Sequence, residues 1–123
     1  MQNQRQQFGQ EGESIAVRHL KKNGYKILEQ NYRNKLGEID IIAKDKNTLV
    51  FVEVKSRRSA GYGSPKWAVT PKKQRKISMT ALFYLKAVKQ PKVKARFDVV
   101  AISSTDDNPR IEIIKNAFEL AYG

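Results

Sequence analysis

The stretch from Gly37 to Arg57 constrains the fold of this chain more than any other. It holds two runs rich in β-branched and aromatic residues, Glu38–Ala43 and Thr48–Lys55, with polar residues between them. This pattern predicts two antiparallel strands joined by a tight turn at Lys46-Asn47. Both faces of the hairpin carry apolar residues, so we expect it to be covered on both sides and to lie centrally in a sheet. One face has Ile39, Ile41, Ala43, Val50, Val52 and Val54, and the other has Ile42, Leu49 and Phe51.

The same hairpin brings charged side chains together. With this turn, the ladder carries Asp40 directly opposite Glu53. Two facing carboxylates repel each other, and a divalent cation between them removes the penalty because hard cations bind carboxylate oxygens. Lys55 lies two residues beyond Glu53 and therefore points to the same face. We predict a metal site at Asp40 and Glu53 with Lys55 as a catalytic cation. A cross-strand ion pair with Glu38 is the alternative for Lys55.

Length and composition favour one folded domain over residues 1–123, with residues 1–7 disordered. Hydrophobic residues make up 40% of the chain, but no apolar run is long enough to span a membrane. The N-terminus lacks the apolar core of a signal peptide. Cysteine is absent and there is a single histidine, which excludes disulfides, thiolate sites and multi-histidine zinc sites. These features fit a cytoplasmic protein.

The charge distribution indicates a polyanionic partner. The formal net charge is +12, and residues 55–96 contain thirteen basic residues and no acid. Such a block attracts nucleic acid, and less readily an anionic membrane surface. We expect nucleic acid and no membrane. The alternatives are a solvated basic surface that keeps the protein soluble and a face that docks an acidic protein.

The first predicted helix runs from about Phe8 to Asn23 and ends at Gly24. Its spacing places Glu13 on one stripe with Ala16 and Leu20. Glu13 is then either a third carboxylate of the metal site or a first-turn glutamate favoured by the helix dipole.

The second predicted helix begins with Thr70 as N-cap and Pro71 at its first position, and runs to about Lys89. Gln74 lies one turn before the apolar stripe, where it either points into the site or occupies a half-exposed first turn. The stripe consists of Ile77, Ala81, Tyr84, Leu85 and Val88. The basic residues around Gln74 oppose the helix dipole unless an anion is near, which favours a polyanion partner.

The remaining segments complete a single α/β domain. Strands are predicted at residues 25–33, 96–103 and 110–115, and a short helical turn in the tail from residue 117. Asp98 is expected to pair with a nearby Arg or Lys. The order is α-β-β-β-α-β-β around a central mixed sheet. Residues predicted to contact nucleic acid are Arg57, Arg58, Lys66, Lys72, Lys73, Arg75 and Lys76.

Several phrases together resemble the PD-(D/E)xK nuclease superfamily, and more narrowly the small bacterial YraN family, which is similar in layout to archaeal Holliday-junction resolvases. They are Gly12-Glu13, GEIDIIA, FVEVKSR, the Tyr62-Gly63 loop and RFDVV. GEIDIIA followed by FVEVKSR is the most specific of them. Ile39 stands where the superfamily's name has proline.

The resemblance implies a restriction-endonuclease-like fold and a metal-dependent endonuclease, structure-selective for branched or junction DNA. It implies Mg²⁺ or Mn²⁺ at Asp40, Glu53 and the carbonyl of Val54. It gives Lys55 the role of activating water and stabilising phosphorane charge, makes Glu13 part of the acidic cluster and Gln74 an accessory. It favours DNA over RNA and allows a homodimer, since junction cleavage uses paired sites. A non-catalytic nucleic-acid-binding module is the alternative.

Overall fold

Two helices and five strands make up the described part of the chain. The structure is a computed structural model that describes residues 4–57, 69–89, 93–105 and 108–119, without the side chains of residues 4–11, 57, 104, 105, 108 and 109. The predicted order α-β-β-β-α-β-β is confirmed. The elements are α1 (Gln4–Lys22), β1 (Lys26–Asn34), β2 (Gly37–Asp45), β3 (Thr48–Arg57), α2 (Pro71–Ala87), β4 (Ala95–Thr105) and β5 (Asn108–Phe118).

The five strands form one mixed sheet in the order β1-β2-β3-β4-β5. Neighbouring strands are antiparallel except β3 and β4, which run parallel because α2 carries the chain back across the sheet. The β2–β3 hairpin is internal, and its turn is Lys46-Asn47, with Lys46 at φ 56°. The predicted α/β domain with a central mixed sheet flanked by helices is confirmed.

Each face of the sheet is covered by one helix. On one face α1 packs Ala16, Val17 and Leu20 against a cluster that includes Val50 and Val52. On the other face the buried side of α2 packs against a second cluster. The α2 face contains Ile39, Ile42, Leu49, Phe51, Ile77, Ala81, Tyr84, Leu85, Phe97 and Val99.

Two expectations about the apolar faces are wrong. Ile39 belongs to the α2 cluster, whereas strict alternation placed it with Ile41 on the other face. The alternation breaks between them, beside Asn31 of β1, which adopts the left-handed conformation at φ 53°. Val88 is 42% exposed because α2 ends before it and Val88 is the C-cap.

The ends of two elements differ from prediction. Helix α1 begins at Gln4, so residues 4–7, expected to be disordered, are helical. Strand β5 continues to Phe118, so residues 117 and 118 are extended and not helical, and the rest of the expected turn, from residue 120, lies outside the described residues. The Phe118 ring stacks on Phe97 with centroids 4.7 Å apart, and this packing holds the segment on the sheet.

Asp98 has the structural role predicted for it. It is fully buried, and its carboxylate accepts hydrogen bonds from Arg96 at 3.0 Å, the Tyr25 hydroxyl at 2.9 Å and the Asn116 N–H at 2.9 Å. Burial, reinforced by Asp98, raises the pKa of Tyr25 to about 12. This network ties the chain after α1 to β4 and β5. Neither helix in the described part of the chain has the length and apolar character needed to cross a membrane.

Candidate active site

Asp40 lies where the β2–β3 ladder opens. The predicted register holds from Asp45 opposite Thr48 to Ile41 opposite Val52, so Asp40 and Glu53 are the next residues on the two strands. There the Val54 N–H donates to Oδ2 of Asp40 at 2.8 Å. The side chain of Asp40 thus takes a position between the strands and presents its carboxylate beside β3.

The ionisation of Asp40 is strongly perturbed. Burial raises the pKa of Asp40 to about 7, and the negative charge of Glu53 adds to the rise. The Val54 N–H opposes it, while Glu13 and Glu38 contribute smaller increases. Ionised Asp40 is therefore held at a free-energy cost that local hydrogen bonding does not remove.

Glu53 is buried, with 8% of its surface exposed, and it has two lysine neighbours. Lys73 of α2 places its Nζ 2.6 Å from Oε1 of Glu53, and Lys55 of β3 places its Nζ 3.9 Å from the same oxygen. The predicted group of Asp40, Glu53 and Lys55 is brought together, with a second lysine beside it.

The two lysines differ in their ionisation. Burial and the nearby charge of Lys73 lower the pKa of Lys55. Burial also acts to lower the pKa of Lys73, but its hydrogen bond to Glu53 and the charge of that carboxylate outweigh it, so the net shift is upward. Glu38, the alternative partner of Lys55, binds Arg33 at 2.8 Å instead. Lys55 is therefore the lysine that gives up its proton more readily.

Glu13 lies at the edge of this group. It is half-buried on α1, and with the Asn31 amide turned to donate, the Asn31 nitrogen lies 3.2 Å from each carboxylate oxygen of Glu13. Its charge contributes to the raised pKa of Asp40. Asn31, which adopts the left-handed conformation, thus connects β1 to α1 at this point.

The donor set fits a hard divalent ion. Asp40 and Glu53 offer only oxygens, and the raised pKa of Asp40 reflects its burial together with a repulsion from Glu53 that a cation would relieve. Within the described ranges, no three His, Cys, Asp or Glu residues are grouped closely enough to hold a metal. Two carboxylates, with water or substrate oxygens in the other positions, are typical of Mg²⁺ sites.

Gln74 takes the second of its two predicted positions, half-exposed in the first turn of α2, and Lys73 lies beside the carboxylates. The Gln74 amide donates to the Val69 carbonyl at 2.7 Å, so it braces the start of α2. Lys73, predicted only as a nucleic-acid contact, is the α2 residue at Glu53. The spacing could have shown this, because Lys73 lies four residues before buried Ile77 and so on the same helix face.

The other residues predicted to contact nucleic acid are either exposed on α2 or lie outside the described part of the chain. Lys72, Arg75 and Lys76 are exposed on α2, as a contact with nucleic acid requires. Arg58 and Lys66 lie outside the described residues, as does the side chain of Arg57. The Val54 N–H donates to Asp40, and the Val54 carbonyl stays a predicted metal ligand.

Comparison with known proteins gives the family. Residues 12–102 match the family described as "Uncharacterised protein family UPF0102". The chain belongs to the UPF0102 family. It is 56% identical over 119 residues to a UPF0102 protein of Desulfosudis oleivorans, covering 97% of this chain and 95% of that protein. It is 58% identical over 115 residues to one of Syntrophus aciditrophicus, covering 94% and 91%. UPF0102 is the YraN family, so the predicted membership is confirmed.

The span matched to UPF0102 contains Glu13, Asp40, Glu53, Lys55 and Lys73. Among solved structures, a chain of "Structure of EndoMS-dsDNA2 complex" is similar at a TM-score of 0.45 and 19% identity. The similarity covers 78% of this chain and 38% of that chain. So distant a similarity carries no weight for function.

Proposed function

We propose that this UPF0102 protein is a metal-dependent endonuclease that hydrolyses phosphodiester bonds in DNA. The observation that carries the proposal is the pair Asp40 and Glu53, two neighbouring carboxylates on internal strands with the pKa of Asp40 raised to about 7. A sheet gains no stability from this pair, and perturbed carboxylates beside lysines are typical of functional sites.

Asp40 and Glu53 would hold Mg²⁺ or Mn²⁺, with the Val54 carbonyl as a further ligand and Glu13 completing the acidic cluster. The ion supplies Lewis-acid activation of water and of the phosphoryl oxygen. The Val54 N–H fixes the orientation of Asp40 through its bond of 2.8 Å. Lys55 meets the negative charge that develops on the phosphoryl group and orients the attacking water. Gln74 supports the start of α2 as an accessory residue.

The basic surface would bind the DNA backbone. Lys72, Arg75 and Lys76 are exposed next to Lys73, so phosphate contacts would lie beside the carboxylates. Contacts of this kind read the backbone and not the bases, which favours selection by DNA structure, such as branched or junction DNA. Two copies of the chain would supply the paired cuts that a junction requires.

The test is nuclease activity on duplex, single-stranded, flap and four-way-junction DNA with Mg²⁺, Mn²⁺ or EDTA. Glu53→Gln and Asp40→Asn are expected to lose metal-dependent cleavage by about 10²-fold or more, while DNA binding is kept, because each removes an oxygen anion from the site. Glu112→Gln, an exposed change on β5, is the matched control. Normal cutting by either site variant would show that the assignment is wrong.

A non-catalytic nucleic-acid-binding module is the second candidate, and one contact favours it. Lys73 pairs with Glu53 at 2.6 Å, so the buried carboxylate has a counter-ion without any metal. If this alternative is correct, the protein binds all of the DNA substrates in EDTA, with an affinity that falls as salt rises. It then cleaves none of them with Mg²⁺ or Mn²⁺. Cleavage that requires both the metal and Glu53 eliminates it.

A further inference from the structure

A pocket lies next to the carboxylates. An open pocket of about 440 Å³ is formed between the β1–β2 turn and the first half of α2. Its volume falls within the range of roughly 300–1,000 Å³ that is usual for ligand sites. Arg33 and Lys35 line it from the turn side, and Lys73 and Lys76 line it from the helix.

The pocket is positively charged. Among the described residues, four cationic side chains line it, against one carboxylate, that of Glu38. Glu38 is already bound by Arg33, with Nη2 at 2.8 Å and Nε at 3.1 Å. Lys73 is paired with Glu53 at 2.6 Å, so Lys35 and Lys76 set the sign of the field in the pocket, which favours an anionic ligand.

The shape of the pocket is fixed by close packing of the turn on α2. A Cβ atom at Gly37 would lie 2.7 Å from Oγ1 of Thr80 and 3.4 Å from the side chain of Lys76, so only glycine allows this approach. Asn34 stabilises the turn by accepting the Leu36 N–H at 2.8 Å and donating to the Thr80 carbonyl at 3.4 Å. The walls are thus held in place before any ligand binds.

The lining also suits the apolar part of a nucleotide. Leu36 and Ile77 belong to the wall, and Leu36 is 36% exposed. Lys35 is held over the Phe83 ring with its Nζ 5.6 Å from the centroid. A site that combines fixed cations with apolar surface fits a phosphate attached to a sugar and base better than it fits a carboxylate side chain of a peptide.

Lys73 connects the pocket to the carboxylates. Its ammonium lies 2.6 Å from Glu53, and its side chain also lines the pocket. We propose that this pocket binds a nucleotide of the substrate strand next to the phosphodiester bond that is hydrolysed. The inference rests on the proposed function for what happens at the carboxylates. The pocket itself recognises a phosphodiester backbone without any reaction.

The experiment measures binding in EDTA, where hydrolysis cannot contribute. Lys35→Gln combined with Lys76→Gln is compared with Lys86→Gln combined with Lys94→Gln, two exposed lysines outside the pocket, so both variants lose the same charge. The probes are short oligothymidylate and oligouridylate, followed by fluorescence anisotropy over a salt series. Amide chemical shifts of the parent protein are recorded during the same titrations.

The pocket variant is expected to bind about tenfold more weakly and to lose roughly one to two units of the salt slope, while the control loses much less. In the parent, oligonucleotide should shift the amides of Lys35, Gly37 and Lys76. Tighter binding of one probe identifies DNA or RNA as the source of the backbone. Equal losses in the two variants, or shifts confined to other surfaces, overturn the proposal, as does preference for a polyglutamate peptide over both oligonucleotides.

The outcomes separate this inference from the proposed function. If pocket variants lose binding but the parent protein cleaves nothing with metal, the nuclease proposal fails and the pocket stands. If the parent cleaves with metal and both double variants bind and cleave alike, the pocket proposal fails alone. Thermal unfolding of each variant establishes that it is folded before binding is compared.

Discussion

The surroundings of Asp40 hold its carboxylate in place but disfavour its negative charge. Its Oδ2 is fixed by the Val54 N–H, yet burial and Glu53 disfavour its charge. A surface aspartate would ionise without such a cost. A residue in this state is destabilising in the metal-free protein and ready to bind a cation, because cation binding removes the repulsion.

This state predicts how stability depends on pH. The pKa of Asp40 rises from 3.8 to about 7 on folding, so its cost is absent below about pH 4, grows as pH rises, and is complete above about pH 7. Asp40→Asn, whose amide oxygen can still accept the Val54 N–H, should therefore raise the free energy of unfolding by on the order of 1–3 kcal/mol at about pH 8. The gain should vanish near pH 4. Urea denaturation in EDTA measures it, and equal stability of the two proteins at both pH values would contradict the argument.

Lys73 gives a prediction about metal affinity. Its ammonium neutralises Glu53 at 2.6 Å, so a divalent ion must displace it to reach that carboxylate. Lys73→Gln should therefore bind Mn²⁺ roughly tenfold more tightly than the parent, a change of about 1.4 kcal/mol. Titration calorimetry measures the affinity, and Lys72→Gln, an exposed neighbour on the same turn, is the control. No difference between the two variants would show that Lys73 does not compete with metal.

At the scale of the elements, close approaches at two glycines position the site. Gly12 of α1 lies against Ser56 of β3, and Gly37 of β2 lies against Thr80 of α2. Each contact holds one helix onto the sheet near the carboxylates. The two hydroxyl groups differ in their freedom to move. The Ser56 hydroxyl can rotate about the Cα–Cβ bond, whereas Thr80 is fully buried and its hydroxyl donates to the Lys76 carbonyl at 2.7 Å.

Alanine substitutions should distinguish the two glycines. Gly37→Ala is expected to lower the free energy of unfolding by about 1–3 kcal/mol, because its Cβ would overlap a hydroxyl that cannot move freely. Gly12→Ala should cost less, since the Ser56 hydroxyl can rotate away and alanine favours the helix by about 1 kcal/mol. Urea denaturation of both variants is the measurement. A larger loss at Gly12 would contradict the packing argument.

At the scale of the whole molecule, positive charge dominates. The net charge of +12 comes from the basic block of residues 55–96, and the start of α2 presents Lys72, Arg75 and Lys76 at the surface beside the carboxylate pair. Such a field attracts any polyanion before specific contacts form. The negative pair within this basic surface is the exception, and it marks where a bound backbone would need a cation between itself and the protein.

The charge predicts a steep salt dependence. The affinity of the parent protein for duplex DNA in EDTA should fall by about 10³-fold or more between roughly 50 and 200 mM salt, because each phosphate contact releases a counter-ion. Duplexes of unrelated sequence should behave alike, since backbone contacts do not read bases. Fluorescence anisotropy measures both effects. Affinity insensitive to salt would favour a protein partner over nucleic acid.

Sequence reasoning succeeded where local pattern decides the structure. The turn at Lys46-Asn47 fixed the register of β2 and β3, and hence the neighbouring positions of Asp40 and Glu53. Thr70 and Pro71 fixed the start of α2, where the Thr70 hydroxyl accepts the Lys73 N–H at 3.2 Å. Alternation and capping are properties of a few consecutive residues, so they can be read directly.

Other features arise only when distant segments pack. Lys73 reaches Glu53 because α2 packs across the sheet. Arg33 and Lys35 lie near Lys76 because Gly37 lets the β1–β2 turn approach α2. The left-handed Asn31 and the change of face at Ile39 likewise depend on neighbouring strands. The sequence by itself determined the elements, the hairpin and its two acids. The tertiary structure decided which cations surround those acids, because contacts between residues far apart in the chain follow from packing and not from local pattern.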